Sequence, residues 1–600
     1  MIMPYRRDID ILKGVAIIAV IFYHLGLLKT GYLGVDVFFV INGFFVVPSV
    51  FRSIATGEFS YGNYLIKKTL RFLPLIVIAS LVSLLLGYIL MLPDHYENLA
   101  QSAVAGNLMS ENLLSLLTTK NYWDVVNDYK PLMHLWYVGI LFEFYIILPF
   151  IIYLGIVINR SGERTVTTTS LTLSVLVIIS FVLFLLPFWT RGEKFYSLPF
   201  RFFELGAGGI IGLNAKNWKI NDKITRVKPF IWFFLLLILL CGIYSYIDGS
   251  FNLHNVIGQD ASEYRSGIPL PQDFLLISIV VITCIFVLIP SNPRSHVLVD
   301  FLSRIGGMSY SIYIWHQVFI AFYRYSVGNK LTIWCIPVIL LFLLSVYISY
   351  YCIERKQIFS FRQLAFWGIA ALSVIIPSWI IYNHAGVTRD VPELDVQFEN
   401  AHRGMFGEYC DRVFQYQNGF DGDTTKIKVI VVGVSFGRDF ANILLESEYQ
   451  NLIELNYCSS LSDPRLREWI KSCDYLFSFS SKDAIPHYIW EEIPSTAAVW
   501  GIGTKNFGDC NGPIYLRRSS PNYYTLSIRP SPGYLELNER MQKQWGNHYI
   551  DLMTPVLLED GTVRVFTEDK KFISQDCRHL TPAGAKFYAK LLDLDSVFSH

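Results

Sequence analysis

Over its first two-thirds the chain is a series of long apolar runs broken by short polar stretches. Beyond residue 390 the pattern gives way to the mixed polarity of a soluble domain. A membrane helix needs about 20 largely apolar residues. About eleven stretches qualify: 9–28, 33–51, 72–92, 132–153, 170–189, 197–213, 229–247, 272–290, 305–323, 331–352 and 364–382. The first lacks a small-residue cleavage site and carries His24, so it reads as a retained span rather than a removed leader. Composition agrees: 52% of residues are hydrophobic and 16% charged, against about 25% charged in an ordinary soluble domain. A net charge of +1 gives no field that favours nucleic acid.

Alternate loops hold most of the Lys and Arg. They include Arg6 and Arg7, Arg52 to Arg71, Arg160 and Arg164, Lys216 to Lys228, Arg294 and Arg304, and Arg355 to Arg362. The bias of basic residues toward the cytoplasm puts the N-terminus there. An odd number of spans then puts the C-terminal domain on the other face, which in a bacterial inner membrane is the periplasm. The expected organisation is a bundle over 1–358, an extra span and linker over 359–395, and an exported domain over 396–600. Of nine cysteines, Cys410, Cys458, Cys473, Cys510 and Cys577 fall in the exported domain. Disulfides persist in that compartment, so one or two bridges and a free thiol are expected. No CxxC pattern appears, and no metal is expected.

Ionisable groups at membrane depth are costly and usually face a working cavity. By this topology His24, Asp36, His134, Arg201 and Glu204 lie in the outer half of the bundle, with His316 about midway. Lys13 is eleven residues before His24, about 16 Å away along a helix, and Arg71 starts its span from the inner face. The inner pole is cationic and suits phosphate. The outer pole, with imidazole and carboxylate, suits proton transfer. A long phosphorylated donor such as acetyl-CoA, entering from the cytosol, has the shape to span both. More ordinary readings remain open: Asp36 as a helix cap, Arg201 and Glu204 as an intrahelical pair, and His316 as packing.

These residues fall in ordered blocks that resemble the membrane acyltransferase 3 family: Lys13 with His24, GYLGVDVFFVINGFF at 31–45, KTLRFLP at 68–74, HLWYVGILFEFY at 134–145, RFFELGAG at 201–208, GGMSYSIYIWH at 306–316 and YCIERK at 351–356. The chain departs from the family pattern at Asn42, where Ser is usual, and at Tyr137, Leu141, Phe142 and Glu143, where Ser and a Glu-Glu-Gln triplet are usual. The resemblance implies acetyl transfer from cytosolic acetyl-CoA, as co-substrate, to an envelope polysaccharide such as lipopolysaccharide O-antigen or exopolysaccharide. It implies His24 as base or acetyl carrier, oriented by a carboxylate such as Asp36, with Lys13 and Arg71 on the donor.

In the C-terminal region KVIVVG at 428–433 is a β-branched run, the mark of a buried parallel strand. Ser435 then starts a helix, where backbone N–H groups can stabilise an oxyanion. Asp576 lies three residues before His579, ahead of a second amphipathic helix. The blocks resemble the SGNH-hydrolase fold, a flavodoxin-like α/β parallel sheet. The resemblance implies Ser435 as nucleophile, His579 as base and Asp576 as its orienter, with Gly503 and Asn506, or Asn511, as oxyanion donors. Val434 replaces the usual Asp before the serine. The expectation is therefore a polytopic α-helical bundle fused to an extracytoplasmic SGNH-like domain. It acts as an O-acetyltransferase on a bacterial envelope glycan, its partners being the bilayer, acetyl-CoA and the polysaccharide. The rival readings are a non-enzymatic transporter or receptor with a glycan-binding ectodomain, or an acyltransferase or deacetylase for another acceptor such as peptidoglycan or a lipid-linked small molecule.

Overall fold

The computed structural model describes residues 5–118, 125–158, 165–215, 228, 232, 271–291, 293–328, 331–356, 358–421 and 425–599. The chain divides into two compact units, Met1–Ile89 with Leu99–Trp379, and Leu90–Asn98 with Ile380–His600.

The first unit is helical. Its main helices are α1 (Arg7–His24), α2 (Gly34–Ala55), α3 (Tyr61–Leu90), α4 (Pro93–Asn107), α5 (Trp136–Val157), α6 (Thr165–Leu185), α7 (Leu198–Asn214), α8 (Pro271–Leu288), α9 (Val297–Gly307), α10 (Ser309–Val327), α11 (Cys335–Ile348) and α12 (Phe361–Asn383). Among the described residues six helices are long and apolar enough to cross a membrane: Gly31–Ala55, Tyr61–Leu90, Met133–Val157, Thr165–Leu185, Cys335–Lys356 and Phe361–Asn383, with a shorter apolar helix over Asp273–Leu288. A helix occupies each of the other expected spans except 229–247, which apart from Trp232 lies outside the described residues. α1 and α10 are less apolar because they carry Asp8, Asp10 and Lys13, and His316, Gln317 and Arg324.

Small residues let helix backbones touch. A Cβ added at Gly43 in α2 would stand 1.8 Å from the carbonyl oxygen of Leu205 in α7, and one at Gly208 would stand 2.0 Å from that of Val40. Close approach of this kind is how apolar helices associate when burial from water does not drive them. It sets α2 against α7 in the register that the buried charges below require.

The second unit is an α/β domain. Strands β1 (Ile427–Val432), β2 (Ile453–Cys458), β3 (Tyr475–Ser478), β4 (Ala498–Ile502) and β6 (Tyr549–Ile550) form a parallel sheet in the order β2-β1-β3-β4-β6. β1 pairs with both β2 and β3, Val429 lying opposite Leu455 and Tyr475. β5 (Ser527–Ile528) and β7 (Val563–Arg564) form a small antiparallel pair. Helices α13 (Ser435–Glu446) and α14 (Pro582–Leu591) pack together beside the sheet. Residues 90–98 belong to this unit: Leu92 is buried with Val387, Val391 and Phe572.

The disulfides expected in this unit are not formed. Cys410, Cys458, Cys473, Cys510 and Cys577 are all free. Cys458 and Cys473 sit instead as apolar side chains in one cluster with Ile430, Leu466 and Leu476, and burial pushes both thiols up to about 12.

Replacing Gly208 by Leu should force α2 and α7 apart. Thermal unfolding of the detergent-solubilised protein should show a large fall in midpoint, whereas a Leu at Gly368, where an added Cβ meets nothing within 4 Å, should leave it unchanged.

Candidate functional site

In the helical unit α1 ends at His24, the turn before α5 carries His134, and the middle of α10 carries His316. All three are buried. The rings of His24 and His316 lie 5.1 Å apart and those of His134 and His316 lie 5.3 Å apart, centre to centre. His316 Nδ1 is 2.6 Å from the carbonyl oxygen of Tyr313. A carbonyl only accepts, so Nδ1 carries the proton and Nε2 presents a lone pair. That Nε2 is buried and has no hydrogen-bond partner among the described residues. The ring is thus set as a proton acceptor.

Asp36 is not at these histidines. Its Oδ1 accepts from Arg201 Nη1 at 2.8 Å, and the same nitrogen donates to Glu204 at 2.9 Å. Arg201 Nε donates to the Phe195 carbonyl at 3.2 Å. The expected role of Asp36 as the orienter of His24 therefore gives way to a buried ion cluster that joins α2 to α7. Glu143 is likewise committed elsewhere, accepting from Asn112 at 2.7 Å.

A cavity of about 700 Å³ opens within this unit. Lys13, Lys67, Lys68 and Arg71 line it, with Asn42, Tyr145 and Tyr310, and so do Tyr137 and Tyr313. Lys13 pairs with Asp10 at 3.1 Å, and Arg71 with Glu354 at 2.7 Å, whose other oxygen accepts from Ser311 at 2.7 Å. Tyr313 stacks edge-on to His134 at 5.1 Å and lies 5.5 Å from His316. The cavity thus joins a cationic wall to Tyr313, which contacts His134 and His316. A cationic wall of this kind fits phosphate.

In the α/β unit β1 runs into Gly433, whose φ of 145° suits glycine, and Ser435 begins α13. The Tyr457 hydroxyl fixes this turn by donating to the Gly433 and Val434 carbonyls at 2.8 and 3.1 Å. Ser435 thereby stands past the carboxyl end of β1, where the strand order reverses and ligands of such sheets bind. His579 Nδ1 meets Asp576 Oδ2 at 2.5 Å. Asp576 Oδ1 accepts the backbone N–H groups of His579 and Arg578 at 2.7 and 3.0 Å. Burial opposes ionisation of Asp576, but these bonds and the imidazole outweigh it and hold the carboxyl well below its usual range. No hydrogen bond joins Ser435 to His579 among the described residues, a bond that commonly tightens only with substrate in place.

Gly503 cannot serve as an oxyanion donor, because its N–H donates to the Ile550 carbonyl at 2.8 Å. Asn506 Oδ1 accepts from Gly508 and Ser531 N–H at 2.9 and 2.7 Å, which locks its amide. Asn511 Nδ2 donates to the Ser574 carbonyl at 2.7 Å and braces the loop before Asp576. Sequence reasoning missed the pair that ties this site together. Asp439, one turn beyond Ser435, meets Lys505 at 2.5 Å and accepts the Leu580 N–H at 3.3 Å. The one carboxylate thereby links the segments of Ser435, Asn506 and His579. The signal was a lysine in an otherwise uncharged block, GTKNFG.

Together these features define an integral membrane protein with a buried histidine cluster beside a cationic cavity, joined in sequence to an α/β unit with a serine–histidine–aspartate set. Residues 6–354 match the acyltransferase domain of the acyltransferase 3 family, and the chain belongs to that family. It is 26% identical over 388 residues to O-acetyltransferase OatA of Staphylococcus aureus strain NCTC 8325, covering 60% of this chain and 59% of the relative. It is 25% identical over 350 residues to a protein with the provisional O-acetyltransferase name SAS0844 in S. aureus strain MSSA476, covering 55% and 54%. The chain thus spans little more than half the length of these curated relatives. No solved structure matches it.

Two outcomes follow from the charges. Arg201→Met would leave Asp36 and Glu204 buried without their cation. Breaking a buried pair costs about 3–5 kcal/mol, so denaturation in mild detergent should show a loss of that order. In the α/β unit burial disfavours a charged His95, but the Asp94 carboxylate and the Cys510 thiol outweigh it and push the ring up to about 9. The raised value means stability is complete below about pH 6.5 and lost as pH rises through 9. The unfolding midpoint should fall across that window, and His95→Gln should flatten the dependence.

Proposed function

We propose that this protein takes the acetyl group of cytosolic acetyl-CoA and delivers it to a hydroxyl of a cell-envelope polysaccharide on the periplasmic side of a bacterial inner membrane. The observation that carries the reading is the cavity lined by Lys13, Lys67, Lys68 and Arg71 that ends on Tyr313, a residue in contact with His134 and His316. Phosphates suit the cationic wall, and the thioester end then lies near the histidines. His316 Nε2, with Nδ1–H pinned to a carbonyl, accepts the proton of an acceptor hydroxyl. His24, in ring contact with it, shares the charge that forms. The hydroxyl acylated there carries the acetyl group as an ester to the α/β unit. In that unit Ser435 Oγ bonds to the acetyl carbon, and the first carrier's oxygen leaves and takes the serine's proton by way of His579. The acetyl-serine then passes its acetyl group to the glycan hydroxyl. His579 exchanges the proton, and Asp576 holds the imidazole in the required tautomer.

His24→Ala and His316→Ala should each abolish glycan acetylation, read by mass spectrometry of envelope polysaccharide, at unchanged membrane levels of the protein. Retained acetylation in both would remove the histidine cluster from the reaction. Ser435→Ala should also abolish it, and wild-type acetylation in that variant would reduce the outer unit to binding.

A further inference from the structure

The lining of the cavity carries a hydrogen-bond donor that the proposed reaction leaves unused. Asn42 Nδ2 lies 2.9 Å from the Phe38 carbonyl oxygen and 2.9 Å from the Tyr137 hydroxyl oxygen. The Phe38 carbonyl only accepts, which fixes the orientation of the amide. Both N–H bonds of Asn42 are then spent, and its Oδ1 accepts the Tyr145 hydroxyl at 3.1 Å. The Tyr137 oxygen is therefore an acceptor toward Asn42, and its own proton has no acceptor among the described residues. The side chain lines the cavity although the residue is only 8% exposed. Its ring is held against Phe39 at 4.7 Å and Tyr313 at 5.5 Å, so the hydroxyl is confined as well as unspent. Asn42 and Tyr137 are also two of the positions at which the chain departs from the pattern it resembles, and they are bonded to each other.

We propose that the Tyr137 hydroxyl, polarised and aimed by Asn42, is the donor that binds the thioester carbonyl oxygen of the acyl donor. The proposal rests on the reading of this cavity as the acyl-donor site. In the step it serves, the oxygen of an acceptor hydroxyl bonds to the carbonyl carbon, and the carbonyl π pair moves onto the oxygen held by Tyr137. The acceptor proton passes to a histidine. When the intermediate collapses, the carbon–sulfur bond breaks and the departing thiolate takes that proton as the free thiol. Tyr137 donates a hydrogen bond throughout and gives up no proton. A fixed donor of this kind acts on the charge that develops at the carbonyl oxygen and contributes little to ground-state binding.

The test uses the full chain in inside-out membrane vesicles supplied with radiolabelled acetyl-CoA, scoring label transferred to polymer. Tyr137→Phe, which keeps the ring, should lower kcat roughly 100-fold, the loss typical of one oxyanion donor, with KM for acetyl-CoA within twofold. Asn42→Ser should give a smaller fall, also in kcat. A Tyr137→Phe enzyme with kcat within twofold of wild type, or one changed in KM alone, would overturn the proposal. His316→Ala runs alongside. If that variant is dead while Tyr137→Phe is fully active, only the donor assignment fails; if it is active, the reading of the site itself fails. Should Tyr137→Phe not reach the membrane, 3-fluorotyrosine at position 137 keeps ring and hydroxyl and changes only the acidity of the phenol. It should then move kcat at constant KM, and an unmoved kcat would overturn the proposal.

Discussion

One guanidinium holds the helical unit to its working geometry. Arg201 is buried, and three of its contacts go to buried groups: Asp36 on α2, Glu204 on its own helix, and the Phe195 carbonyl. Charges stripped of solvent are tolerated only when paired and hydrogen-bonded, so α2 and α7 cannot slide past each other without exposing one of them. The glycine contacts at Gly43 and Gly208 bring the two backbones close enough for this pairing. Fixing Asp36 also fixes Asn42, six residues further along α2, and with it the Asn42–Tyr137–Tyr145 network at the cavity wall. The charges therefore act on the cavity wall at a distance, by setting register.

The two units fix the tautomers of their histidines differently. In the bundle, imidazoles sit among apolar helices, and a backbone carbonyl fixes the tautomer of His316. In the α/β unit a carboxylate does that work for His579, and backbone N–H groups of the same loop keep the carboxylate ionised. The contrast follows from surroundings. A neutral carbonyl can orient a ring in hydrocarbon without adding a charge, whereas the hydrogen bonds of its own loop compensate the charge of Asp576.

Much of this was legible in residue patterns. Long apolar runs located the helices, the β-branched run before Gly433 located the central strand, and the spacing of Asp576 and His579 put both on one loop. What escaped was contact between distant segments. Asp36 lies near His24 in the chain, so its engagement by Arg201, 165 positions away, left no local trace. Gly503 had the right residue type for an oxyanion donor, but its N–H belongs to the sheet pairing with Ile550. The cysteines of the α/β unit fitted a disulfide pattern by number alone, and the fold leaves them free, with Cys458 and Cys473 packed as small apolar side chains. Asp439 and Lys505, 66 positions apart, became meaningful only once the loops met.

The α/β unit is not a continuous piece of chain. Residues 90–98, which follow α3, fold with residues 380–600, and Leu92 is packed under Val387 and Val391. A Cβ at Gly386 would stand 1.8 Å from the Pro93 carbonyl oxygen, so the two strips of backbone touch. During synthesis this short piece therefore leaves the ribosome nearly three hundred residues ahead of the rest of its unit and waits, with Leu92 uncovered, until the C-terminal portion arrives. A fragment beginning at residue 380 would lack it, leaving an apolar groove where Leu92 belongs.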